Sequence, residues 1–136
     1  MRRERRRLWP ALGALALILP VPACSSGAAR CEEALTAATT SVPGVVSAQW
    51  ECSNNFGGGW QRAHVVIEAA TETEAIAVVD AALRAYATAL GLEDGWSTPQ
   101  EYATRDRSII VSANDVGFNG PPNIREVRER YGTTSG

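Results

Sequence analysis

The chain has 136 residues, with 13 basic and 15 acidic side chains, a net charge of −2 and 45% hydrophobic content. Every basic residue is an arginine and five of them fall in the first seven positions, so residues 24–136 alone carry −6 by side chains. Such an acidic body argues against a nucleic-acid partner, since phosphate contacts need clustered Lys and Arg, and against adhesion to anionic headgroups through a basic patch.

The first stretch in chain order is an address. Arg2, Arg3, Arg5, Arg6 and Arg7, with Glu4, precede an apolar run of 16 residues from Leu8 to Ala23. The run is shorter than the about 20 residues of a spanning helix. Pro10, Pro20 and Pro22 interrupt it, and a proline costs about 3 kcal/mol inside a helix. A charged start, an apolar middle and a small residue before a cut are the parts of a secretory signal. Val21-Pro22-Ala23-Cys24 resembles the lipobox of bacterial lipoproteins. The resemblance implies a signal peptide at 1–23 and a diacylglycerol on Cys24. It also implies cleavage just before Cys24, and a fatty acyl chain such as palmitate on the new N-terminus. The protein would then be exported and lipid-anchored on the outer face of the cell membrane. Pro22 stands where the family has a small or hydroxyl residue. Val21 and Ala23 would also suit an ordinary signal peptidase, giving a secreted, unlipidated protein. Arg5-Arg6 or Arg6-Arg7 before Leu8-Trp9 has some likeness to a twin-arginine signal, so the export route stays open.

Three cysteines are present, Cys24, Cys31 and Cys52. If Cys24 carries lipid, an even pair remains, and export permits a disulfide. A Cys31–Cys52 bridge would close a loop of about 20 residues; the alternative is two buried free thiols. With one histidine, His64, and no C-x-x-C, no zinc set is present, and neither metal nor cofactor is expected.

Residues 24–30 read as the lipidated cysteine and a short polar tether. A single α+β domain is expected over 31–132, with a frayed tail at 133–136. A first helix is predicted over about Ala29 to Ser41, with Cys31, Leu35 and Ala38 on one face. Glu32 and Glu33 are expected in its first turn, and Pro43-Gly44 stops it. Val45 to Ser53 alternates, which points Val46, Ala48, Trp50 and Cys52 inward. Trp60 to Ala69 alternates too, with Arg62, His64, Val66 and Glu68 outward. The Gly-rich loop between them makes a hairpin. It cannot be a phosphate cradle, because its glycines lead into a strand rather than a helix N-terminus.

The second helix has the strongest signature. Thr71 and Glu74 form a capping box, and Ile76, Val79, Leu83, Tyr86 and Leu90 make an apolar stripe that Gly91 closes. Glu101 to Arg105 and Ser108 to Ala113 follow as short strands about a reversal at Asp106-Arg107, and Asn114 to Pro122 as a loop. Asn123 with Glu126 caps a last helix, Ile124 to Tyr131. The order α-β-β-α-β-β-α implies an α+β two-layer sandwich: a four-stranded, mainly antiparallel sheet with helices on one face. In layout it is similar to ferredoxin-like sandwiches. A Cys31–Cys52 bridge would staple the first helix to the sheet.

No catalytic set emerges. Nucleophilic catalysis needs a nucleophile and a base together, and His64 sits in mid-strand with no G-x-S-x-G in the chain. The acids fall at helix starts and turns, where acids are ordinary. Aromatic residues near loops, Phe56, Trp60 and Phe118, are the candidate partner contacts. The expectation is a lipid-anchored, non-enzymatic binding domain for an envelope protein or small ligand. The alternative is a small envelope hydrolase using two convergent carboxylates.

Overall fold

A computed structural model describes residues 27–53 and 59–132. The expected signal peptide at 1–23, Cys24, Phe56 and the expected tail at 133–136 lie outside the described residues.

The fold is α+β, a two-layer sandwich with the strand order β1-β2-β3-β4. Helix α1 is Gly27–Thr40, strand β1 Val45–Ser53 and strand β2 Trp60–Ile67. Helix α2 is Glu72–Thr88, strand β3 Tyr102–Thr104 and strand β4 Ile110–Val111. A 3₁₀ turn, Ala113–Val116, leads towards helix α3, Ile124–Tyr131. Strands β1 and β2 pair antiparallel, as do β3 and β4, while β2 and β3 pair parallel. The parallel pair follows from connectivity, since α2 carries the chain back over the sheet and so returns it in the same direction. Two of the three pairings are thus antiparallel, in a mixed sheet.

The core lies between the sheet and the helices. Helix α1 contributes Cys31, Leu35, Ala38 and Thr39. Helix α2 contributes Ala75, Val79, Ala82, Leu83, Tyr86 and Ala87. Trp50, Cys52, Val65 and Ile67 meet them from β1 and β2, and Tyr102 and Val111 from β3 and β4. Ile124 and Val127 of α3 are fully buried in the same cluster. Because α1 is helical from Gly27, Glu32 and Glu33 fall beyond its first turn. The short connection to β1 needs a glycine: Gly44 has φ +98°, and a Cβ there would stand 2.7 Å from Val78 Cγ2.

Several expected boundaries shift. The pairing of β1 with β2 slips between Val45 and Ser47. That bulge turns Val46 outward, 44% exposed, where strict alternation predicts it inward. Strand β2 ends at Ile67 rather than Ala69. Helix α2 ends at Thr88, with Ala89 extended as its C-cap, and Leu90 is 93% exposed instead of continuing the stripe. The cause lies in α3. Arg128 bonds Ala87 O at 3.4 Å and Ala89 O at 3.1 Å, and its other nitrogen reaches Asp94 at 2.8 Å. This guanidinium satisfies carbonyls that a further helical turn would have used. Strands β3 and β4 are shorter than predicted. Thr104 and Arg107 close the reversal between them at 2.8 Å, with Arg107 at φ +60°. After β4 the chain enters the 3₁₀ turn, where Ser112 and Asp115 form a capping box.

Helix α3 keeps its predicted bounds. Asn123 accepts from Glu126 N at 2.8 Å, and Glu126 accepts from Asn123 N at 2.8 Å. The loop before β3 is held to the start of α3 by Thr98 N to Pro122 O at 3.0 Å and Ile124 N to Trp96 O at 2.9 Å.

Candidate functional site

Cys31 and Cys52 form a disulfide with Cα atoms 6.2 Å apart. Both are buried. The bridge joins the first part of α1 to the last part of β1, and beside it Glu32 accepts from Cys52 N at 3.0 Å. That bond shows which way the β1 backbone points at Cys52, away from β2. In an antiparallel pair such residues alternate, so Trp50 and Ala48 also direct their N–H and C=O groups to the outer edge. Beside that edge runs an open groove of about 800 Å³, lined by Glu32, Glu33, Thr36, Gln49 and Trp50 among others.

Of the two candidate contact aromatics among the described residues, Trp60 is the one set on an open surface. It is 39% exposed on the sheet face opposite the helices, and the Arg62 guanidinium lies 4.5 Å from its ring centre. Arg62 also approaches Glu51 at 4.0 Å, both side chains being about two-thirds exposed. Phe118 is different. It packs against the core cluster, and Arg130 covers its ring at 3.9 Å while bonding Val116 O and Gly117 O. Its role is to close the 3₁₀ turn onto α3, and the structure does not bring it together with Trp60 on one face. His64 is exposed in mid-strand, opposite Gln49.

The open face has a second part, of which alternation missed Val46. Val46, turned out by the bulge, Ile110 at 45% exposure and half-buried Val66 lie near the other end of the sheet. Ala103 sits between Val66 and Ile110 in the register. A cleft of about 240 Å³ lies there, lined by Val46, Val66, Glu68, Thr104 and Arg105 among others. Alternation already turns Val66 outward; it is Val46 that no sequence signal reveals, because its exposure depends on one extra residue in β1.

Three acids are tied closely to arginines in separate parts of the molecule: Asp80 to Arg84 at 2.9 Å, Asp94 to Arg128 at 2.8 Å, and Glu101 to Arg107 at 2.8 Å. Burial tends to raise the Asp80 pKa, but its bonds to Arg84 and Tyr131 outweigh that and hold it below the usual carboxylate value. Bonds from the backbone and hydroxyl of Ser108 and the hydroxyl of Thr104 lower Asp106. Both shifts favour a fixed carboxylate over an acid that gives up a proton near neutrality. Among the described residues, no group of three or more His, Cys, Asp or Glu could hold a metal ion.

The polar groups inside the core are hydroxyls. Thr39 donates to Leu35 O at 2.7 Å, accepts from Trp50 Nε1 at 3.0 Å and meets the Tyr86 hydroxyl at 2.7 Å. Sequence reading passed over this cluster, yet a signal was there: Thr39 follows Leu35 by four, on the buried face. Tyr102 is fully buried nearby, and its hydroxyl has no hydrogen-bond partner of normal geometry among the described residues. Burial raises the pKa of both Tyr86 and Tyr102 well above the ordinary phenol value.

No helix among the described residues is long and apolar enough to cross a membrane. Comparison with the profiles of known protein families, with characterised protein sequences and with solved structures returns no significant match.

Proposed function

We propose that this is a lipid-anchored cell-envelope protein whose folded domain is a non-catalytic binding module. Cys24 carries the lipid, residues 1–23 are removed on export, and the domain contacts an envelope protein or small ligand through its open sheet face. The observation that carries this reading is Val21-Pro22-Ala23-Cys24 at the end of an arginine-led apolar segment. A diacyl group supplies the two chains that stable attachment requires. The disulfide suits an oxidising compartment outside the cytoplasm. Trp60 at one end of the open face and the Val46–Ile110 patch at the other supply apolar contact area with a polar surround.

The test is metabolic labelling with a fatty acid in a bacterial host, comparing wild type with Cys24→Ala. Label on the wild type and none on the variant is expected. Label retained by the variant overturns the assignment of Cys24.

A further inference from the structure

We infer that Trp60 rests on the same bilayer that holds the lipid, so that the domain stands on its hairpin end and turns the Val46–Ile110 patch away from the membrane. The inference rests on the lipidation of Cys24 proposed above and names the partner of one end of the open face.

The geometry starts at the disulfide. Helix α1 and strand β1 are joined by the turn Ser41–Gly44, so they run side by side in opposite directions. Cys31 and Cys52 clamp them at the end away from that turn, with Cα atoms 6.2 Å apart. Past the clamp, α1 extends backward to Gly27, about 6 Å at 1.5 Å per helical residue. Past the same clamp, β1 extends forward to Ser53, whose partner across the hairpin is Trp60. Gly27 and Trp60 therefore share one end of the molecule.

The tether fixes which end meets the membrane. Cys24 precedes Gly27 by three residues, and a fully extended chain gains at most about 3.6 Å per residue. The start of α1 is thus held within about 11 Å of the lipidated residue. A longer linker would let the domain turn over; this one does not. An exposed tryptophan at that end falls at headgroup level, where its amphipathic ring is favoured. Because the body is acidic, the contact depends on the indole rather than on a basic patch. The patch of Val46, Val66 and Ile110 lies towards the far end of the sheet. Seven residues of β1 separate Ser53 from Val46, about 23 Å at 3.3 Å per residue.

The test uses the mature protein purified with its native anchor. It is reconstituted into phosphatidylcholine vesicles whose acyl chains are brominated near the headgroup. Three tryptophans remain after cleavage, Trp50, Trp60 and Trp96. Trp50 is buried and Trp96 half-buried, so Trp60 is the one set to reach the quencher. Fractional quenching about twofold greater in wild type than in Trp60→Phe is expected, since only the interfacial indole meets the bromines. Mass spectrometry of the same preparation reports the lipid on Cys24. Lipid present with equal quenching in both proteins overturns the inference and leaves the anchoring reading intact. Lipid absent overturns both.

Discussion

Thr39 is a single residue on which two other buried groups depend. Its hydroxyl has one proton and two lone pairs. The proton goes to Leu35 O, so the lone pairs receive Trp50 Nε1 and the Tyr86 hydroxyl. This accounting sets the direction of the Tyr86 bond: Tyr86 donates. The T-shaped contact between the Trp50 and Tyr86 rings, 6.4 Å between centres, fits the shared acceptor. Thr39→Val keeps the shape and removes the acceptor, leaving two buried donors without partners. At 1–3 kcal/mol for each such group, the loss should be about 3 kcal/mol. Tyr86→Phe takes away a donor along with its own need for a partner, and should cost about 1 kcal/mol. Urea midpoints of the two variants check this. Equal losses would show that the donors are satisfied in some other way.

At the scale of elements, the disulfide decides how α1 holds to the sheet. Its cysteines are 21 residues apart and buried at the α1–β1 contact. Replacing both with Ala should cost about 3 kcal/mol in the chain-entropy account, a fall in melting temperature of roughly 10–20 °C for a domain of this size. A melting temperature unchanged by the double substitution would show that packing alone holds α1. This pairing was legible because the cysteines stood at the inward phase of a helix and of a strand. Helix α3 was legible to the residue because Asn123 and Glu126 make both halves of a capping box. The end of α2 was not, because it is set by Arg128 from 40 residues further on. Nor was the outward turn of Val46, since a bulge changes the phase of a strand without changing its composition. The candidate site was legible in the same uneven way. Trp60 is exposed where its strand position put it, while Phe118 is taken up by Arg130, a pairing that only the packing of α3 creates.

Across the whole molecule, the chain's three tyrosines each sit where elements pack together. Tyr86 joins α2 to α1 and Trp50, Tyr102 of β3 is fully buried in the core, and Tyr131 joins α3 to α2 by donating to Asp80 at 2.9 Å. All three have a raised pKa. Burial raises Tyr86 and Tyr102 far above the usual value. Burial, followed by the bond to Asp80 and its charge, pushes Tyr131 up to about 12. An unfolded tyrosine titrates near about 10. Below that value both states keep the phenol protonated, and the stabilising effect of these environments is fully present. As the pH climbs from about 10 through about 12, the unfolded chain sheds protons that the folded one retains, so stability falls. No tyrosine is left to titrate independently. Absorbance of the tyrosinate near 295 nm should therefore stay flat through about pH 10, then rise in one cooperative step together with the loss of circular dichroism. A smooth rise centred near about 10, with the circular dichroism intact, would mean that at least one ring is free. Tyr131 would be the first to suspect, since it is the one of the three that is not fully buried.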